Sequence, residues 1–258
     1  MASIQITDTH THLNSSDFDT DLPQVMERAA AEGVTKFYLP GIDSTTIDSM
    51  LKTEADYPGK CFAMMGLHPC YVKENYLDEL KLVEDWLQKR KFAAIGEIGL
   101  DYYWDTTFVE QQTIAFHRQI EWALQYDLPI VIHSRNAMDD CIQIVREHQF
   151  GKLRGIFHCF NGNADQARQI VDAGLYLGIG GVLTYKKSGV DEALANISLD
   201  HMVLETDAPY LTPVPFRGKR NESSYLTYIV DKLAEVKGVT REEVAEITSK
   251  NAEKIFGS

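Results

Sequence analysis

Eight short apolar runs, each followed by an amphipathic stretch of helical spacing, constrain the fold of this chain more than any other feature. The runs end near Asp8, Pro40, Leu67, Ile98, His133, His158, Gly181 and Glu205. Helical patterns occupy 22–32, 45–57, 77–90, 110–126, 137–149, 164–173 and 191–196, with two more at 225–237 and 241–255. Alternating strand and helix favours a parallel sheet. Eight repeats in 258 residues favour an α/β fold closed into a (β/α)₈ TIM barrel, a single domain over 1–258. An open doubly wound sheet is the alternative, but no G-x-G-x-x-G follows the first run. The one long irregular connection, 208–221, holds Pro209, Pro213, Pro215 and Gly218. A connection of that length is usually functional or disordered.

In a barrel of this kind the active site lies at the carboxyl ends of the strands. The first run ends in His10-Thr11-His12. Side chains on a strand alternate faces, so the two imidazoles point the same way and can share one divalent ion. Later runs end in Glu97, His133, His158 and Asp207. A lone histidine in an apolar run is ordinarily a satisfied core residue. Metal-capable groups at five strand ends are a different matter. Glu97, inside Ile95-Gly96-Glu97-Ile98-Gly99, is costly to bury without a partner, and a metal provides one. Six groups suffice for two ions, with Glu97 as a bridge between His10 and His12 on one side and His133 and His158 on the other. Two ions about 4 Å apart clamp the attacking and leaving oxygens of phosphoryl transfer. The mixed nitrogen and oxygen donors suit Zn²⁺, Mn²⁺ or other imidazole-tolerant ions; Mg²⁺ stays open, although a purely Mg²⁺-selective site would carry fewer histidines.

Other residues fall near the same mouth. Asp207 is expected to accept the proton of the attacking water. Glu205 shares its parity and is expected to orient a ligand or hold a proton. His68 ends the third run as a substrate contact, a proton donor or a local cap. Asp101 and Tyr102 either line the pocket or form the loop. Cys159, next to His158, is expected to face away into the layer between barrel and helices. His117, His148 and His201 read as structural or surface residues. Arg217-Gly218-Lys219-Arg220-Asn221 is the only dense basic cluster, and an arginine fork there matches phosphate oxygens. Lys186-Lys187 can add to it. Tyr102, Tyr103, Trp104 and Tyr185 can stack nucleobases or simply pack loops.

The net charge of -13 argues against a broad basic track along duplex DNA. It leaves a nuclease open, because ions in an acidic pocket supply local positive charge. Cys61, Cys70, Cys141 and Cys159 form no C-x-x-C pair and read as reduced thiols. No stretch is apolar enough to span a membrane, and Met1-Ala2-Ser3-Ile4 leads into a strand without a signal core, so the expected address is cytoplasmic. No obligate protein partner and no separate nucleic-acid module is evident.

Asp8-Thr9-His10-Thr11-His12, Gly66-Leu67-His68-Pro69, Gly96-Glu97-Ile98-Gly99-Leu100-Asp101-Tyr102, His133-Ser134-Arg135, His158-Cys159-Phe160-Asn161-Gly162 and Glu205-Thr206-Asp207-Ala208-Pro209-Tyr210-Leu211-Thr212-Pro213 together resemble the TatD family of metal-dependent deoxyribonucleases. The match runs in order over essentially the whole chain, although H-x-H alone is shared by the wider amidohydrolase superfamily. The resemblance implies a TIM barrel, metal binding by His10, His12, Glu97, His133, His158 and Asp207, and a phosphoesterase on nucleic acid, a 3′→5′ exonuclease on single strands of DNA with RNA as the alternative. It matches Arg217 and Asn221 to the family's R-G-K-x-N stretch, as residues on the substrate side. Cys70 and Phe216 stand where many members carry histidine. A rival keeps the site but hydrolyses another ester or amide, such as a D-aminoacyl-tRNA. A non-enzymatic metal-binding scaffold is a second rival, against which the intact set of six ligands speaks.

Overall fold

The structure, a computed structural model, describes residues 5–257. Met1 to Ile4, and with them the expected lead into the first strand, lie outside the described residues, as does Ser258.

Eight strands alternate with helices: β1 Ile6–Asp8, α1 Leu22–Ala31, β2 Val34–Leu39, α2 Ile47–Asp56, β3 Cys61–Ala63, α3 Tyr76–Lys89, β4 Ile95–Asp101, α4 Val109–Tyr126, β5 Ile130–Arg135, α5 Met138–His148, β6 Gly155–Phe157, α6 Ala164–Asp172, β7 Tyr176–Ile179, α7 Val190–Leu194, β8 Met202–Leu204, α8 Leu226–Lys237 and α9 Arg241–Phe256. All strand pairs are parallel, in the orders β1-β2-β3 and β4-β5-β6-β7-β8. Backbone hydrogen bonds join the two groups at both seams. Gly96 N donates to Met65 O at 3.0 Å, and Thr9 N donates to Leu204 O at 3.0 Å. The ring therefore closes into a (β/α)₈ barrel, and the open sheet is excluded.

Strand parity divides the core. Phe37 and Leu39 belong to the large apolar layer shared with the helices. Tyr38, on the opposite face, clusters with Met64, Ala94 and Val131. A neighbouring cluster joins Ile156, Tyr176 and Val203 to Ala252 and Ile255 of α9. Phe256 packs on both clusters, so α9 helps to fill the end of the barrel remote from the mouth. Thr240 starts this helix with a capping box, its hydroxyl accepting from Glu243 N and the Glu243 carboxylate accepting from Thr240 N. Asn251 ties α9 to the start of β8 by donating to Leu199 O and Met202 O.

The third strand is shorter than its apolar pattern predicts. Pairing stops at Ala63, apart from a single bridge at Met65, and does not reach Leu67. The amide of Gln119, buried on α4, takes the place of a strand neighbour. Leu67 N donates to Gln119 Oε1 at 2.7 Å, and Gln119 Nε2 donates to Leu67 O at 3.2 Å. Buried backbone groups need such partners. A polar side chain on α4 thus lets the chain leave the sheet and carry His68 over the mouth.

Candidate metal centre

The site begins with buried carboxylates that fix strand ends. Asp8 is fully buried and accepts from Thr206 N at 2.9 Å, Thr206 Oγ1 at 2.6 Å and Ser223 Oγ at 2.7 Å. Burial pushes its carboxyl up to about 7, against those hydrogen bonds. Asp8 thereby binds the end of β1 to the segment after β8, from which Asp207 projects. Asp207 itself has φ 56°, in the left-handed region, and its N–H donates to His10 O at 2.9 Å. On the other seam, Gly99 (φ 136°) lets β4 approach β5. A Cβ there would lie 2.1 Å from His133 O. Only glycine allows this approach, which brings Glu97 and His133 side by side.

Glu97 is the hub. Its Oε1 lies 2.9 Å from His133 Nδ1, 3.3 Å from His68 Nε2 and 3.5 Å from His158 Nε2. Its Oε2 lies 3.1 Å from His10 Nε2. Asp207 Oδ1 is 3.3 Å from His12 Nε2 and 3.7 Å from His10 Nε2. The rings of His10 and His158 stack with centroids 3.7 Å apart. Burial disfavours the charge on Glu97, but His68, His10 and His158 outweigh it and hold the carboxyl well below the usual range. Burial likewise opposes the Asp207 charge, while His12, 3.3 Å away, and the nearby imidazoles of His158 and His10 lower its carboxyl.

The donors fit divalent cations. His10 is completely buried, yet neither ring nitrogen makes a hydrogen bond. Its Nε2 faces carboxylate oxygens without the alignment a hydrogen bond needs, as groups sharing an ion do. Ligand atoms within 4.8 Å of one another occur in His10, His12 and Glu97, in Glu97, His133 and His158, and in His10, His158 and Asp207. Such sets of imidazole and carboxylate suit zinc-like or manganese-like ions.

Carboxylates behind the cluster hold its histidines. Asp101 Oδ2 is 2.8 Å from His133 Nε2, and its Oδ1 accepts from Tyr103 N and Trp104 N. Glu205, fully buried, places Oε1 2.9 Å from His158 Nδ1 and accepts from Cys159 N at 2.6 Å. The cluster opens into a cavity of about 540 Å³ lined by His12, His68, Glu97, His133, His158 and Asp207. In this cavity His68 accepts at Nδ1 from Cys70 N, which leaves its proton on Nε2.

Expectations for Cys159, Asn221 and Tyr102 are corrected, while His117 and His148 keep the structural place expected of them. Cys159 lines the cavity instead of facing the helices. Pairing of β6 ends at Phe157, and Cys159 adopts φ 47°, so strand alternation no longer governs it. Asn221 is buried away from the cavity. Its Nδ2 donates to Thr206 O and Tyr210 O, and its Oδ1 accepts from Glu222 N, which leaves nothing for a substrate. Tyr102 turns its hydroxyl to Asp140 at 2.8 Å and lines neither this cavity nor the one beside it. Arg217 stacks over Tyr185 at 4.2 Å and lines a neighbouring cavity, outside the Glu97 cluster. His117 and His148 contact each other at 2.8 Å, away from the mouth. Asp8, Arg135 and Asn161 stand in the quoted motifs without an individual role that the sequence assigns them. Asp8 has the parity of His10 and His12, and that was the available signal.

A family model described as TatD related DNase matches residues 7–257. The uncharacterized metal-dependent hydrolase YabD of Bacillus subtilis (strain 168) is 40% identical over 250 residues, covering 96% of this chain and 98% of that protein. A 3′-5′ ssDNA/RNA exonuclease, TatD of Pantoea vagans (strain C9-1), is 32% identical over 256 residues, with 96% and 98% covered. Among solved structures, the TatD homologue YjjV of Escherichia coli K12 superposes with a TM-score of 0.93 at 29% identity, covering 99% of both chains.

Proposed function

The chain belongs to the TatD family of metal-dependent hydrolases, and from that premise we propose that it is a 3′→5′ exonuclease hydrolysing phosphodiester bonds at the ends of single-stranded DNA or RNA. The observation that carries this reading is the pair of donor triads that share Glu97. His10, His12 and Glu97 would hold one divalent ion, and Glu97, His133 and His158 a second. Two bound ions supply Lewis-acid polarisation of the phosphoryl oxygens and activate water near neutral pH. The Pantoea vagans relative carries such an activity in its name.

The chain's own groups divide the remaining work. Asp207, beside His12 on the cavity wall, accepts the proton of the attacking water. Glu205 and Asp101 hold His158 and His133 in orientation. His68 Nε2–H, fixed in its tautomer by Cys70 N–H, donates a hydrogen bond to the leaving oxygen, which takes its proton from solvent. Cys61, Cys70, Cys141 and Cys159 are all unpaired, which supports work in a reducing compartment. No helix among the described residues is long and apolar enough to cross a membrane.

The test is an end-labelled single strand incubated with metal-stripped protein, re-supplied in turn with Mg²⁺, Mn²⁺ and Zn²⁺, beside Glu97→Ala. The expected result is a metal-dependent ladder from the 3′ end that the variant does not produce. Intact DNA and RNA with every metal, together with hydrolysis of aminoacyl-tRNA, would replace this reading with the ester-hydrolase one.

A further inference from the structure

A second cavity, of about 720 Å³, adjoins the first and shares Ser134, Arg135, Asn161 and Leu211 with it. Two arginines stand on its wall, each stacked on a tyrosine. The Arg135 guanidinium lies 4.8 Å from the Tyr103 ring centroid, and that of Arg217 lies 4.2 Å from Tyr185. Tyr185 is held in turn by its hydroxyl, which donates to Thr212 O at 3.0 Å. Among the described residues neither guanidinium has an ion-pair or hydrogen-bond partner. In a chain of net charge -13 that is informative, because Arg28, Arg90, Arg154 and Arg220 each pair with a carboxylate. Stacking on an aromatic face fixes a guanidinium while leaving its N–H fork free for an anion. Asp139 and Asp140 also border the cavity, but each already accepts a hydrogen bond, from Gln166 and from Tyr102.

We propose that this second cavity is a subsite for the penultimate nucleotide, in which Arg135 and Arg217 bind the phosphate next to the scissile one. The assignment rests on the nuclease reading. It follows from continuity, because Arg135 borders both cavities and so stands where a strand would pass from one to the other. The proposal gives this acidic protein a local grip on a polyanion where it has no basic track. Tyr103 and Tyr185 offer faces for the adjoining base.

The experiment compares a dinucleotide, which has only the scissile phosphate, with a trinucleotide, which adds the neighbouring one. KM and kcat are measured for the metal-loaded wild type, Arg135→Ala, Arg217→Ala and the double variant, with folding followed by Tm. Wild type should bind the trinucleotide at least about tenfold better, a gain expected of a charge-assisted phosphate contact. Each single variant should lose most of that gain, and the double variant all of it. Equal KM for the two substrates in wild type overturns the subsite. So does a variant that weakens both by the same factor, since its arginine would then serve the scissile phosphate or the fold. If wild type cleaves neither substrate, the nuclease reading itself fails and takes the subsite with it.

Discussion

Glu205 Oε1 lies 2.9 Å from His158 Nδ1, while the other ring nitrogen of that histidine faces Glu97. The carboxylate is wholly buried and belongs to the turn after β8, whereas His158 follows β6. Two segments far apart in sequence thus set one imidazole ring. Carboxylates in this position fix the tautomer and raise the basicity of a metal-binding histidine. Glu205→Gln keeps the shape but removes the charge. It should lower metal affinity about 10–100-fold, with Tm little changed. Titration of bound metal checks this, and an affinity like that of wild type would remove Glu205 from the site's support.

The same carboxylate can be displaced without touching it. A Cβ on Gly178 would lie 2.3 Å from Glu205 Oε2, whereas one on Gly180 meets nothing closer than 3.6 Å. Gly178→Ala should therefore cost about 1–3 kcal/mol of stability and also weaken metal binding. Gly180→Ala should do neither. Thermal unfolding and metal titration on the two variants separate a local steric effect from a general intolerance of alanine at the end of β7.

What was legible in the sequence had a period. His10 and His12, the parity of Glu205 with Asp207, and the strand ends at Glu97 and His133 follow from alternation along strands. The structure brings these residues into one cluster. Cys159 escaped because its backbone is left-handed, which period-two reasoning does not foresee. The early stop of β3 escaped because it depends on Gln119, about 50 positions away in the chain. Tyr102 and Asn221 escaped because their polar groups are used by Asp140 and by backbone carbonyls, partners that only the folded chain identifies.

Asn221 yields a prediction opposite to a substrate contact. Its Nδ2 donates to Thr206 O at 2.8 Å and Tyr210 O at 2.6 Å, on either side of Asp207. Asn221→Ala leaves those carbonyls without their partner and should cost about 2–3 kcal/mol. The loop carrying Asp207 then loosens, so kcat should fall while KM for the nucleic acid stays near wild type. A rise in KM with Tm unchanged would restore the substrate role.

Arg28 and Glu222 form a two-pronged pair outside the cluster, with Nε–Oε1 at 2.8 Å and Nη2–Oε2 at 2.6 Å. Burial opposes the charge on Glu222, but the hydrogen bonds from Arg28 and Ser224 lower its carboxyl below the ordinary glutamate value. A lowered folded value stabilises the protein above the unfolded value, and that contribution is lost as pH falls through the folded one. Glu222→Gln should thus cost about 1–2 kcal/mol at neutral pH, a modest figure because Arg28 is half exposed and screened. The difference between wild type and variant should shrink in acid. A gap in Tm that stays constant from neutral pH into the acid range would show that the charge is not its source.

Asp207 combines a strained backbone with the proposed proton acceptor, and the choice of substitution separates the two. Its φ of 56° is left-handed, a region that asparagine tolerates far better than alanine. Asp207→Asn should therefore keep the loop and the Tm, since the amide also preserves the side chain's volume. The amide cannot take a proton, and loss of a general base costs about 10²–10⁴ in rate. Asp207→Ala should show the same catalytic loss together with a lower Tm, because alanine must bear the backbone strain of about 1–3 kcal/mol. Turnover near wild type in the asparagine variant would mean that another group takes the proton. A fall in Tm as large as that of the alanine variant would mean that the carboxylate is needed for the fold before it is needed for the chemistry.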